Sequence, residues 1–295
     1  MKKAPLLVSG LLASLLFWGV LISNSFGAES WVDLVYDQEV PAQTKENFQK
    51  AFNTVNKLLT KYKIVLSNPI TIVVITNDAE KYIKALMFYY NISRALAENK
   101  AKYTAGISST EKPVIIIRWI PTRQSTGQGP SYPVNNPEEG FRALPHELFH
   151  QVQNQYTRVH MANWLEEGSA ELFRWMAFEA GGIRRETDCV QLAEQAIRRA
   201  AKIPDTRQLA SYDHTTWDSL VQQRYPVYPM AALMTYRLIG DNGFEKVILY
   251  YQLLHNGNDP DKAFITAFGV QMSDFLADMN DYFNRLTTKQ KIGEK

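Results

Sequence analysis

The stretch Ala143-Leu-Pro-His-Glu-Leu-Phe-His-Gln-Val-Gln153 decides how this chain of 295 residues is read. His146, Glu147 and His150 stand in the order H-E-x-x-H. On a helix, side chains four residues apart lie on one face, one turn above the other. Both imidazoles can therefore reach one ion. Glu147 follows His146 by one position, about 100° round the helix. It can face a water on that ion without being a ligand. Two neutral nitrogen donors, a carboxylate base and an open coordination position are what a hydrolytic zinc site needs. The bland alternative for the same residues is a pair of satisfied core histidines.

A second stretch, Asn163-Trp-Leu-Glu-Glu-Gly-Ser-Ala-Glu-Leu-Phe173, supplies carboxylates. Catalytic zinc commonly takes three protein ligands, and two histidines with one glutamate are an attested set. The span from His150 to Glu167 leaves room for the end of one helix, a turn, and the start of a second helix packed on the first. Pro145, directly before His146, suits a helix that starts near it. A helix that starts earlier is expected to kink there, because proline has no N–H to donate.

With H-E-x-x-H followed by Trp164-Leu165-Glu166-Glu167-Gly168-Ser169-Ala170-Glu171, the sequence resembles the gluzincin metallopeptidases, the superfamily of thermolysin-like and M1-type enzymes. More closely it resembles the small bacterial peptidase MA-like domains, which pair H-E-x-x-H with W-L-x-E-G-x-A-E. The resemblance implies Zn2+ held by His146, His150 and Glu167. It implies Glu171 as the carboxylate that orients a zinc histidine, and Glu147 as the general base toward a zinc-bound water. Glu166 is expected to point elsewhere, into solvent. The metzincin pattern is excluded, since Gln153 and Tyr156 occupy the positions where it needs glycine and histidine.

Upstream, residues 1–28 read as an export signal. Lys2 and Lys3 precede an apolar run, Leu6 to Ile22, and Ser25 to Ala28 offer small residues for cleavage. The expected location is exported, periplasmic or secreted, with membrane anchoring only if this segment stays uncleaved. The chain carries 32 basic and 30 acidic side chains, and removing Lys2 and Lys3 leaves them balanced. No basic excess remains, which argues against a nucleic-acid partner. Cys189 is the single cysteine, so no internal disulfide can form.

The expected fold class is α+β and zincin-like. An α/β lobe with a mixed sheet spans 29–140, and the zinc-binding helices with a mainly helical lobe span 141–295. Strands are expected at 31–36, 70–76, 102–108 and 114–120, and helices at 42–62 and 78–99. Met87, Phe88, Tyr89 and Tyr90 read as core packing. In the resembled family the sheet's edge strand binds extended substrate, and Tyr103 to Ser108 is the candidate here. Pro121 to Gly140, with four prolines and three glycines, reads as a long loop flanking the cleft. Beyond Asp188 to Lys202, residues 203–225 read as irregular. Helices are expected at 229–239, 244–254, 260–268 and 273–286, then a solvated tail over 287–295. Tyr228, heading the helix at 229–239, resembles the family's oxyanion-stabilising tyrosine, with Tyr225 and His214 as the next candidates.

These readings converge on an exported zinc metallopeptidase acting on a peptide or protein substrate. No stretch of the kind that zinc aminopeptidases use to hold a free amino terminus is present, so an endopeptidase is expected. The competing reading is an exported binding or assembly module that keeps the zinc fold with little or no turnover. The intact Glu147 argues against it, because zinc binding alone does not need that base.

Overall fold

The computed structural model describes residues 32–66, 68–109, 111–119, 138–156 and 161–293. The expected leader at 1–28 and the expected loop at 121–140, up to residue 137, lie outside the described residues. Among the described residues no helix is long and apolar enough to cross a membrane.

A four-stranded mixed sheet forms the base of the molecule. Its strands are β1 (Val32–Tyr36), β2 (Ile70–Ile75), β3 (Gly106–Ser108) and β4 (Val114–Arg118), in the spatial order β1-β2-β4-β3. β1 pairs parallel with β2, and β2 parallel with β4; β3 pairs antiparallel with β4. The continuous β-branched runs of β2 and β4 follow from burial on both faces. Ile72, Val74, Ile115 and Ile117 join the main core, while Val73, Ile75 and Ile116 join a smaller core on the opposite face. Helix α1 (Ala42–Lys61) covers the first face. Helices α2 (Ala79–Tyr90) and α3 (Arg94–Tyr103) cover the second.

The single helix expected over 78–99 is two. Asn91 takes the left-handed conformation at φ 53° and ends α2, and Ser93 caps α3 by accepting from the Leu96 N–H. The local polar side chains outcompete the helical periodicity that runs across them. The strand expected from 102 starts only at Gly106, because α3 continues through Tyr103. Phe88 is 74% exposed rather than core, while Tyr90 reaches across to the sheet and donates to the Ile107 carbonyl at 2.6 Å.

Helix α4 (Glu139–Tyr156) crosses between α1 and β3. It starts six residues before Pro145, so proline sits inside it and cannot donate to the Phe141 carbonyl. Two anchors fix its ends. Thr44 of α1 donates to Glu139 at 3.2 Å, and Gln151 donates to Ser108 Oγ and the Ser109 carbonyl, each at 2.7 Å. Gly140 lets the helices touch: a Cβ there would lie 2.5 Å from the Asn47 carbonyl oxygen.

Helix α5 (Asn163–Ala180) packs on α4 and ends at Gly181 and Gly182. Helix α6 (Glu186–Arg199) follows. The segment expected to be irregular contains two short helices, α7 (Thr206–Leu209) and α8 (His214–Gln222). Asp205 and Asp213 cap them, and Asp205 forms a reciprocal capping box with Gln208. Helix α9 (Val227–Ile239) starts two residues before the expected position, with Pro229 in its first turn where no N–H is missed. Helices α10 (Glu245–His255), α11 (Pro260–Phe268) and α12 (Met272–Gly293) complete the chain. The last runs on through most of the segment expected to be a tail.

Helices α5 and α9 approach to backbone contact, and Gly168 makes it possible. A Cβ at Gly168 would lie 2.3 Å from the Ala231 carbonyl oxygen and 2.4 Å from Thr235 Oγ1. The glycine after Glu167 thus has a packing reason. Gly168→Ala is expected to destabilise the fold by about 1–3 kcal/mol through overpacking, read as a lower urea midpoint at unchanged slope.

Candidate active site

The two histidines of α4 meet Glu167 of α5 in the interior. His146 Nε2 and His150 Nε2 are 3.1 Å apart, and Glu167 Oε2 lies 3.3 Å from the first and 3.6 Å from the second. Three donors placed about 2.0–2.1 Å from a tetrahedral zinc are about 3.3 Å from one another. The observed triangle has those edges. Glu167 Oε2 is buried, with no hydrogen-bond partner beyond the two imidazoles that face it. A buried carboxylate oxygen left in that state is costly unless a cation faces it.

Charge makes the same point. Glu147, Glu167 and Glu171 are all buried or nearly so, and Arg174, ion-paired with Glu171, is the compensating cation beside them. With neutral histidines the cluster is left with the deficit that one divalent ion balances. Without an ion, burial disfavours charge on His146, but Glu167 and Glu171 outweigh it and push its imidazole up to about 10. Burial opposes ionisation of Glu167 too, yet the two histidines hold its carboxyl well below the usual carboxylate range. The site is built to hold positive charge at the point where the three donors converge, and nitrogen and carboxylate donors of this kind suit zinc.

The outer nitrogens of the imidazoles also face polar side chains. His146 Nδ1 lies 3.2 Å from Glu171 Oε1, and Glu171 in turn pairs with Arg174. His150 Nδ1 is 2.7 Å from Gln153 Oε1. Partners of this sort fix which nitrogen faces the metal and how the ring is turned. Sequence reading named Glu171. Gln153, one turn beyond His150 on the same face, carries no motif signal and is a role only the structure reveals.

Glu147, which is not one of the three converging donors, lies against the edge of the sheet. A Cβ on Gly106 of β3 would lie 2.8 Å from Glu147 Oε1 and 2.9 Å from its Cγ. The carboxylate therefore rests on the one strand position with no side chain, a contact no sequence signal announced. Burial raises its affinity for a proton, against the pull of both histidines and the Ser108 amide. The candidate edge strand is thus shorter than expected, and Tyr103 belongs to α3.

Of the three candidates for an oxyanion donor, Tyr228 is brought to the site. Its ring centroid is 6.2 Å from that of His146, and Trp217 of α8 packs edge-on against it at 5.4 Å. Although 36% of the residue stays exposed, crowding around its hydroxyl and then the Glu167 carboxylate hold that group protonated well above the ordinary tyrosine range. His214 is drawn instead to Glu166, 3.7 Å away, and Tyr225 packs against the main core. Glu166 is consequently not a solvated side chain: it is 15% exposed and faces His214.

No family model and no curated protein matches this chain. Among solved structures it is similar to an aminopeptidase N family protein from Idiomarina loihiensis, at 15% identity and a TM-score of 0.49. That match covers 84% of this chain and 44% of the other. The chain therefore spans under half the length of that neighbour, and the site rests on its own geometry.

Glu167→Ala should abolish stoichiometric zinc binding while leaving the circular dichroism unchanged. Elemental analysis of the purified protein beside the wild type checks this.

Proposed function

We propose that this protein is a zinc-dependent peptidase, exported as the first 28 residues suggest and acting on internal peptide bonds. The observation that carries the reading is the convergence of His146, His150 and Glu167 beside a buried glutamate that is not part of the donor triangle. A structural metal would need no such base.

His146, His150 and Glu167 would hold the zinc, and when bound it would supply Lewis-acid polarisation of the scissile carbonyl and of a water. The remaining chemistry falls to the chain. Glu147 takes a proton from the attacking water and returns it to the leaving nitrogen. Its buried setting raises its affinity for a proton, the direction a general base needs. Tyr228, kept protonated, can donate a hydrogen bond to the oxygen on which negative charge develops. Glu171 and Gln153 keep the imidazoles turned inward. The balanced charge of the chain fits a peptide substrate better than a nucleic acid.

Glu147→Gln is expected to keep zinc and lose turnover by about 10²–10⁴-fold, measured on a quenched-fluorescence peptide library with zinc content determined in parallel. Retained turnover in that variant would exclude the proposed role. Gly106→Ala should likewise keep zinc, yet slow hydrolysis by about 10²-fold, because a displacement of about 1 Å at the reacting groups has that consequence. Steady-state kinetics should show the loss in kcat rather than in KM.

A further inference from the structure

His150 owes its orientation to a hydrogen-bond chain that reaches the C-terminal helices. Gln153 and Ser169 are buried, and Tyr251 of α10 is fully so. Gln153 Nε2 lies 2.8 Å from the Glu166 carbonyl oxygen, 3.0 Å from Ser169 Oγ and 3.1 Å from Tyr251 OH. Ser169 Oγ lies 2.6 Å from the Leu165 carbonyl oxygen, and Tyr251 OH is hydrogen-bonded to Ser169 Oγ.

The direction of every bond follows from which atoms can donate. A carbonyl oxygen only accepts. The Leu165 and Glu166 carbonyl oxygens, 2.6 and 3.2 Å from Ser169 Oγ, both take its proton, and with that proton on a carbonyl its oxygen accepts from the Tyr251 hydroxyl. Tyr251 then has no proton left for Gln153, and its oxygen accepts from the amide. The Glu166 carbonyl oxygen, 2.8 Å from the same atom of Gln153, only accepts and so cannot face an amide oxygen. The atom of Gln153 that faces all three is thus the NH2, and the carbonyl oxygen must face His150. His150 Nδ1 has to carry the proton in that bond, which leaves a bare lone pair on Nε2, the atom aimed at Glu167 and His146.

Two backbone carbonyls at the start of α5 thereby select the tautomer of a ligand on α4. The same turn of α5 delivers Glu167 itself. The His146 arm is different, with the charged Glu171 and its Arg174 as partners.

We propose that Gln153 is a positioning residue for His150, and that Ser169 and Tyr251 lock its amide so that His150 presents Nε2 to the metal. This rests on the zinc-site reading above but not on turnover.

The test uses the full chain loaded with zinc or with cobalt(II), chelator competition for affinity, and the visible cobalt bands for ligand geometry. The variants are Gln153→Met, Tyr251→Phe and the double substitution. Gln153→Met should weaken metal binding about 10–100-fold and shift the cobalt bands. Tyr251→Phe keeps the ring packed on Phe149 and removes one hydroxyl; it should weaken binding about 2–10-fold, the net worth of one hydrogen bond. Its loss should disappear in the Gln153→Met background, because both act through one chain. Wild-type affinity and cobalt spectrum in Tyr251→Phe would overturn the proposal even if Gln153→Met fails to fold. Losses that simply add would overturn it as well. A wild type that binds metal but cleaves no peptide would overturn the peptidase reading alone. A wild type that takes up neither metal would overturn both.

Discussion

The interior of this protein holds three carboxylates and two imidazoles where α4 and α5 meet, and the rest of the structure is arranged around their charge. Isolated ionised groups do not survive in a low-dielectric core. They persist here because each is placed against another. Arg174 balances Glu171, and the histidines face Glu167 across a donor triangle that could hold a divalent ion. Removing one member leaves its neighbours buried and unpaired, so the cluster behaves as a unit.

That unit needs rigid supports on every side, since a donor triangle with edges of 3.1–3.6 Å is spoiled by small shifts. The sheet anchors α4 through Gln151 at its far edge, and α1 anchors it through Glu139. Gly140 and Gly168 let the flanking helices approach to backbone contact. The same close approach of α9 to α5 carries Tyr228 over His146. The proposed roles therefore come from three helices braced by a strand: ligands on α4 and α5, the base on α4 resting against β3, and the hydroxyl at the head of α9. Their relative positions are set by packing, and loops contribute little among the described residues.

Polar side chains at helix joints decided where elements begin and end. Asn91 and Ser93 split one expected helix into two, and Asp205 and Asp213 raised two helices from a segment with no clear apolar period. Such caps are worth about 1 kcal/mol each. That suffices to fix a boundary once the flanking segments are buried, and it is invisible to a reading based on hydrophobic repeat.

The sequence by itself determined what local spacing encodes. Residues four apart share a helix face, so His146 and His150 had to converge if the segment was helical. The apolar runs at 70–75 and 114–118 had to be buried strands. Their mixed sheet and the long helical second half made an α+β chain. The tertiary structure alone decided the contacts between distant segments. Gly106 lies under Glu147, Gln153 reaches Ser169 and Tyr251, Glu166 meets His214, and Trp217 backs Tyr228. None of these pairs has a spacing that announces it, because each depends on how whole helices are set against one another. That setting is the sum of many weak contacts, not the property of any one stretch of chain.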